Sequence, residues 1–267
     1  MMIIKTFLLA LVLTMLTLSA SFAATESIDG DRFSVSLGIF LTDRDTDTRL
    51  DGAIVDGTQI DLESDLGLDA SYNVFRIDGY YRFNDRHRFD FSVFDMSRGS
   101  SKHIDRDMQW GERLFVIDTR VETDFDLIIY KAAYTYSFMQ REKGSLGATI
   151  GLHIVDTKVS LAEQNLGRAE VAHITAPLPV IGLRGNYEFA DRWTFRASGE
   201  IFFIEFDHIR GSLVDLYAVL DFAVRESVSV GFGYNSVVID MDVSKGRFEG
   251  SLDWRYSGGL LFLKFDF

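Results

Sequence analysis

Apolar and polar residues alternate with a period of two in ten separate segments of this chain. The segments are 33–41, 75–83, 88–93, 128–138, 146–155, 181–189, 193–203, 215–224, 228–235 and 258–267. In the third segment, for example, Phe89 and Phe91 alternate with Arg88 and Asp90. Successive side chains of a β-strand point to opposite faces, so each segment predicts a strand with one apolar face and one polar or small-residue face. Ten such strands predict a wall between hydrocarbon and water.

The connections between these segments alternate in length. Residues 84–85, 140–145, 190–191 and 225–227 form short links, whereas 42–71, 98–123, 160–171, 207–212 and 242–253 form mostly longer ones. Each alternating segment is close to the roughly 10 residues that a tilted strand needs to cross a bilayer. The pattern predicts an all-β fold, a transmembrane antiparallel up-and-down β-barrel with short periplasmic turns and long extracellular loops. About ten strands are expected, with eight to twelve possible because 104–121 also has strand-like character.

Composition agrees with a strand-rich chain. The sequence has 23 Phe and 10 Tyr, which favour strands, and only 2 Pro, which cannot donate to a ladder. Aromatic residues close to the short links predict a girdle at the periplasmic interface: Phe83, Phe138, Tyr187, Phe189, Trp193 and Phe267. Pro177 and Pro179 are expected at the start of a strand or at a bulge. The alternative is a soluble β-sandwich or lipocalin-like barrel, which would have to bury nearly all of these rings in one interior.

The first 23 residues read as a cleaved signal peptide. Lys5 supplies the positive charge, 7–18 the apolar stretch, and Ser21 and Ala23 the small residues that precede cleavage. A membrane anchor is the alternative, but the apolar run is short for a helical span of about 20 residues. Residues 24–267 then form one barrel domain. The chain has no Cys, which excludes a lipidated cysteine, and its net charge of −13 argues against nucleic acid as a partner.

With this leader, these hairpins and its last strand, the chain resembles the small outer-membrane β-barrel proteins of Gram-negative bacteria, of the OmpA-like and OmpW-like type. Leu261, Leu263, Phe265 and Phe267 share one face of that last strand and match the assembly signal of the family. The resemblance implies a location in the bacterial outer membrane, contact with lipid and lipopolysaccharide, and assembly by the outer-membrane machinery. Such barrels include channels, adhesins, structural proteins and hydrolases, so the resemblance implies no single activity.

Charged residues on the polar strand faces are expected to line the barrel interior. They are Arg76, Asp78, Arg82, Arg88, Asp90, Lys131, Arg184, Glu188, Arg196, Glu200, Asp221, Lys264 and Asp266. Both signs occur on neighbouring strands, and buried charges must be paired or hydrated. Because small barrels are largely filled by side chains, a plug of ion pairs is the favoured interpretation, and a narrow polar pore is the alternative.

The first long connection is rich in acid. It contains Asp43, Asp45, Asp47, Asp51, Asp56, Asp61, Glu63, Asp65 and Asp69 against Arg44 and Arg49. Oxygen-rich loops can bind Ca²⁺, but the Gly and Glu spacing of an EF-hand loop is missing. A solvated loop among the divalent cations that bridge lipopolysaccharide is the favoured interpretation, so no metal site is predicted.

One arrangement could support hydrolysis. Asp207 and His208 adjoin at a strand end, with Glu205 close by and Asp95 at the end of another strand. A carboxylate beside a His can polarise an attacking water, but the spacing does not match that of the outer-membrane proteases that use such groups. The remaining candidates, His103, His153 and His173, have no convincing Ser or Asp partner at short range in the sequence.

The sequence therefore predicts an integral outer-membrane barrel that serves as a structural element or a narrow passive channel, without cofactor and without enzymatic activity. A barrel that binds a surface or a partner through its loops is the main alternative, and hydrolysis at the rim is a weaker one. The solute, the partner and the oligomeric state stay open.

Overall fold

The structure is a computed structural model that describes residues 32–163, 169–206, 209–243 and 250–267. The segment predicted as a signal peptide, 1–23, lies outside these ranges. The described residues form fourteen strands and no helix. They are β1 (Phe33–Leu50), β2 (Ile60–Asp61), β3 (Ser71–Arg82), β4 (His87–Asp95), β5 (Arg98–His103), β6 (Met108–Trp110), β7 (Arg113–Phe115), β8 (Arg120–Arg141), β9 (Gly144–Glu163), β10 (Ala169–Ala190), β11 (Trp193–Phe206), β12 (Ile209–Arg225), β13 (Val228–Val243) and β14 (Gly250–Asp266).

Ten of these strands close into one antiparallel barrel. Each barrel strand pairs with the next along the chain, in the order β1, β3, β4, β8 and then β9 to β14. The barrel closes where β14 pairs with β1, from Ser34 opposite Asp266 to Leu50 opposite Gly250. The remaining strands extend it: β5 continues the line of β4 against β8, β2 adds to the far end of β1, and β6 pairs with β7. The predicted ten-stranded up-and-down barrel is confirmed.

The predicted apolar strand faces form an outward belt around the barrel. Leu37, Ile39, Phe75, Ile150, Leu183, Leu216, Phe232 and Leu261 are all exposed on the outer surface. The opposite face of the same strands points into the interior, as Arg76 and Thr149 do. Among the described residues no helix is long and apolar enough to cross a membrane. Such a belt allows a barrel to lie in hydrocarbon, because its apolar side chains face the acyl chains.

The two ends of the barrel differ, and we call them the turn end and the loop end. The turn end carries the short links predicted from the sequence and the predicted aromatic girdle; Phe83, Tyr187 and Phe267 are each about half exposed there. The loop end carries the long connections. Several of those were predicted too long, because β1, β9, β10, β13 and β14 continue well into them as paired strands.

The extra strand length has a recognisable cause. On the turn-end side of β8, from Phe138 back to Ile128, the outward residues are apolar. On the loop-end side of Ile128, Asp126 and Asp124 face outward, whereas Leu127 and Phe125 face inward and are buried. The apolar face therefore changes sides at Ile128. Such a reversal marks the level at which the surroundings of the wall change from hydrocarbon to water.

The two prolines do not lie where the sequence suggested. Pro177 and Pro179 sit in the middle of β10, paired with Ile154 and Leu152 of β9 without a register shift. The prediction of a strand start or a bulge at these residues is wrong. The two prolines also affect the pairing of β10 with β11, its neighbour on the other side.

Candidate functional site in the barrel interior

The interior of the barrel has two zones of different chemistry. Toward the turn end it holds paired charges, and toward the loop end it holds packed apolar side chains. Phe94 lies at the boundary, where the guanidinium of Arg76 stands 4.8 Å from its ring centroid and the ammonium of Lys131 stands 5.5 Å away. Each zone brings together residues from most of the barrel strands.

The charged zone is an ion-pair network in which cations and carboxylates alternate. Arg76 pairs with Asp78 at 2.8 Å, and Arg196 donates from Nη2 to Asp221 at 2.9 Å. Arg88 donates from Nε to Asp90 at 2.8 Å. Buried charges of both signs that satisfy one another in this way are the arrangement expected of a filled small barrel.

Lys131 and Asp215 form the centre of this network. Their side chains are in direct contact, and both are almost fully buried. The second carboxylate oxygen of Asp215 accepts a hydrogen bond of 2.7 Å from Asn235, whose own carbonyl accepts one of 2.7 Å from Arg76. Asn235 is completely buried and therefore joins two ion pairs. The sequence singled out Lys131 and Arg76 but missed Asp215 and Asn235.

His153 completes the network on its β9 side. Its Nε2 lies 2.7 Å from Glu200, and Glu200 also approaches Arg184 at 3.6 Å. Within the described ranges, His153, Glu200 and Asp215 are a group whose ligand atoms lie close enough together, within 4.8 Å, to hold a metal ion. Lys131 already supplies the positive charge beside Asp215, so this constellation is an ion-pair cluster in its present form.

A small cavity lies among these charges. It measures about 70 Å³ and is lined by Arg76, Asp78, Arg88, Asp90, Lys131 and Glu200 together with other polar residues. A space of this size holds only a few water molecules, because one water needs roughly 10–15 Å³ measured in the same way.

The predicted interior charges otherwise lie near the turn end. Lys264 pairs with Asp266 at 2.8 Å, and Arg82 is partly buried beside the ring of Tyr80. Glu188 is exposed at the mouth of the barrel and takes no part in the ion-pair network.

The second zone is an apolar plug. It consists of the strand residues Phe40, Phe94, Trp254 and Tyr256 and the loop residues Leu62, Leu66, Trp110 and Phe115, none of which exposes more than 2% of its surface. The rings of Trp254 and Tyr256 are in contact and tilted by 39°, with centroids 4.6 Å apart, and Phe40 meets Tyr256 edge-on at 5.7 Å. The connections 51–70 and 96–119 therefore fold over the loop end and pack onto the side chains of the strands.

The acidic first connection is held by cations that the sequence analysis did not pair with it. Glu63 contacts Arg98, and Asp65 pairs with Arg106, both from the next connection. Asp61 accepts hydrogen bonds from the backbone N–H groups of Glu63 and Ser64 at 2.9 and 2.8 Å. Glu63 and Asp65 therefore hold the first connection against the second through ion pairs.

Other carboxylates of the loop end form a row on the outer surface. Asp47 lies opposite both Asp61 and Asp253 on its two neighbouring strands, and Asp253 lies opposite Asp240. Partial burial, followed by repulsion from Asp61, raises the pKa of Asp47. Partial burial and the hydrogen bond to Asp240 raise the pKa of Asp253. In Asp61 burial acts in the same direction, but the hydrogen bonds from Ser64 and Glu63 outweigh it and lower the pKa.

Four residues were considered for hydrolysis, and two of them are described. Asp207 and His208 lie outside the described residues, Glu205 pairs with Arg210 at 3.2 Å, and Asp95 accepts from Ser97. A different pair was missed. On the outer surface near the loop end, Nε2 of His173 lies 2.9 Å from Asp156, which also accepts from Thr175 at 2.8 Å.

Similarity to known proteins lies in the fold. No family model matches the chain, and no curated protein does. The outer membrane protease OmpT of Escherichia coli superimposes with a TM-score of 0.58 at 10% identity, covering 91% of this chain and 99% of that chain. Two further structures have lower scores. Ail of Yersinia pestis, solved with the heparin analogue sucrose octasulfate, gives 0.39 at 14% identity over 88% of this chain and 99% of that one. The toluene transporter TodX of Pseudomonas putida gives 0.34 at 10% identity over 90% of each chain.

The closed ten-stranded barrel and the first of these likenesses define the class. The chain has the fold of the bacterial outer-membrane β-barrels, as its sequence predicted. The same likeness contradicts the prediction that the chain has no enzymatic activity. That prediction rested on the missing motif of the outer-membrane proteases, yet a protease shares the architecture of this chain. At 10% identity the likeness carries over the fold and no activity.

Proposed function

We propose that this protein is an outer-membrane barrel whose lumen is closed to solutes and whose raised loop end presents a surface outside the cell. In this proposal the turn end faces the periplasm and the loop end faces outward. The barrel serves as a rigid scaffold that contacts outer-membrane lipid and lipopolysaccharide along its belt and its acidic outer row.

One observation carries the proposal: both zones of the interior are filled. The apolar plug occludes the loop end, and the ion-pair network occupies the middle, leaving a cavity of about 70 Å³. An ion that crosses the barrel would have to displace packed rings and separate paired charges. A polar pore, the alternative from the sequence, needs a continuous hydrated path that the packed interior interrupts.

Planar-bilayer recordings of the purified, refolded protein test this proposal. We expect no discrete current steps from the unaltered chain, because neither zone provides a path for ions. The matched variant carries four substitutions in the plug, L62A, L66A, W110A and W254A, and tests whether opening the loop end alone admits ions. We expect this variant also to be silent, because the ion-pair network remains. Stable unitary conductance of the unaltered protein would contradict the closed-lumen proposal.

A second candidate function is hydrolysis at the outer surface, and the exposed pair of His173 and Asp156 favours it. Asp156 accepts from Nε2 of His173 and so orients the ring, which leaves Nδ1 of the neutral imidazole as the atom that takes a proton. An oriented imidazole of this kind acts as a general base toward a water molecule. Thr175 lies directly opposite Asp156, two positions from His173 on β10, and its hydroxyl also donates to Asp156 and holds it in place.

Turnover of peptide and ester substrates by the protein in lipid vesicles tests this candidate. If the pair is catalytic, H173A loses roughly 10²–10⁴-fold in rate, the usual contribution of a general base. The matched control is H103A, because His103 is a loop-end histidine that approaches a backbone carbonyl instead of a carboxylate. Equal activity of both variants would remove His173 from consideration.

A further inference from the structure

β10 and β11 do not pair with each other along the whole height of the barrel wall. Their pairing runs from Ala190 opposite Trp193 to Ile181 opposite Ile201, and within the described residues it ends there. Both strands continue toward the loop end: β10 stays paired with β9 as far as Ala169, and β11 stays paired with β12 as far as Phe206. Only the pairing between β10 and β11 is absent over this height. The wall therefore has a lateral gap bounded by 169–180 of β10 and 202–206 of β11.

The only two prolines of the chain lie on one border of this gap. Pro177 and Pro179 occupy ladder positions opposite Ile154 and Leu152 of β9, and that ladder continues through them without a shift. A proline cannot donate to a ladder, so both nitrogens must face away from β9 and toward β11. The edge of β10 therefore lacks two donors at the lower part of the gap, where β11 would otherwise accept from them. Because each is a proline, β10 itself leaves no N–H group unsatisfied at these two positions.

Side chains on the other border are exposed on both faces of the strand. Phe203, which points outward, is 69% exposed. Ile204 follows the inward alternation of Glu200 and packs against Gly211, yet it is 38% exposed. An inward residue of an intact wall is covered, as Leu213 on the adjacent strand is. Ile204 is therefore left uncovered on the interior face of β11, at the level of the gap.

The lining of the gap is hydrocarbon-like, and its lower part lies level with the belt. The outward residues at its base, Ile181 and Ile201, are exposed members of the belt. Behind the gap lie Leu178 and Val180, which are buried and belong to the apolar interior. The side chains of this lining offer water few polar partners. An added β-strand is also a poor occupant, because proline on an edge blocks strand pairing.

We propose that this lateral gap is a binding site for one hydrocarbon chain, supplied either by an outer-leaflet lipid or by a free fatty acid. The chain would lie between Pro179 and Phe203 with its end against Ile204, and it would cover the apolar side chains that the unzipped wall exposes. The site rests on the proposed placement of the barrel in the outer membrane. It uses neither the charged zone nor the pair of His173 and Asp156, which lies nearer the loop end of the same border.

Spin labels at single cysteines test the site cleanly, because the chain has no native Cys. Variant I204C places the label on the interior side of the gap. Variant L213C is the matched control on the interior face of the zipped wall, and I201C is the lipid-facing reference. In phosphatidylcholine vesicles, collisions of each label with oxygen report hydrocarbon and collisions with a water-soluble nickel chelate report water. A heat-dependent shift in gel mobility confirms that each variant has folded.

We expect the label at position 204 to collide with oxygen about as often as the label at 201, and at least about threefold more often than the label at 213, while the nickel chelate is excluded from it. If this result is already obtained in vesicles without fatty acid, a lipid chain is the occupant; if it requires added oleate, a free fatty acid is. Ready access of the nickel chelate to position 204, or oxygen access no greater than at 213 with and without oleate, would overturn the proposal.

Discussion

Replacing Lys131 by Met is expected to destabilise the barrel by about 3–5 kcal/mol, because it leaves the carboxylate of Asp215 buried without its cation. Both side chains are almost fully buried, and Asp215 lies within the network that includes Asn235 and Arg76. The double variant K131M/D215N removes the uncompensated charge and should recover more than half of the loss. Urea unfolding in detergent micelles or lipid vesicles measures both effects.

The chain offers a matched control for this prediction. Lys158 and Asp126 approach to 3.6 Å on the outer surface of the loop end, and both side chains are about half exposed. An exposed pair contributes about 0–1 kcal/mol, so K158M should change the free energy of unfolding little. A loss from K131M that is no larger than the loss from K158M would show that the interior charges are hydrated and individually dispensable, which contradicts a packed network.

Replacing Trp254 by Ala is expected to cost about 3–5 kcal/mol through lost burial and the cavity left behind. Trp254 is 1% exposed, contacts the ring of Tyr256 and lies under the folded connections. Cleavage of the loop end by added protease should accelerate in the same variant, because the connections lose their largest contact in the strands. Both effects should be measured against L114A, since Leu114 is exposed in a connection and packs little.

The plug would be shown to be loosely packed if the unfolding free energy of W254A lay within about 1 kcal/mol of that of the unaltered protein. Removing an indole ring from a closely packed site costs more than that. The proposal of a closed loop end would then lose its main support. W254F separates the two contributions, since it keeps a ring in the plug and should fall between the unaltered protein and W254A.

The sequence predicted the strands because each alternating segment has one apolar and one polar face. The apolar face indicates hydrocarbon outside the barrel, and the polar face indicates the barrel interior. Phe89 and Phe91 point outward while Arg88 and Asp90 point inward, as the period of two requires. The same rule misjudged the loop end. On the loop-end side of Ile128 the apolar residues face inward and the outward residues are polar. A strand that continues there looks like a polar connection if only the outward apolar pattern is followed. A doublet of apolar neighbours such as Ile128 and Ile129 is the signal that marks the reversal.

The contacts that cross the interior could not be read from the sequence because they join distant strands. Pairs such as Arg76 with Asp78, by contrast, lie two positions apart on one strand. His153 and Glu200 lie 47 positions apart, and Arg76 and Asn235 lie 159 apart. Their partnership follows from the barrel register, which no local spacing reveals. Asp215 lies on the same polar strand face as Asp221, which was predicted to line the interior, so the alternation already pointed to Asp215 and it was overlooked. The gap beside β10 had a local signal in Pro177 and Pro179, but its meaning required knowledge of which neighbouring strand each nitrogen faces.

The central claim is that the apolar strand faces lie against hydrocarbon and the charged faces enclose a filled interior. Refolding of the purified chain from urea, with and without lipid vesicles or detergent, tests it most directly. We expect a protease-resistant, heat-modifiable β-barrel only when an amphiphile is present, because the exposed belt residues otherwise aggregate. A monomer that folds cooperatively in buffer alone, with rings such as Phe75 and Phe232 shielded from water, would contradict the claim.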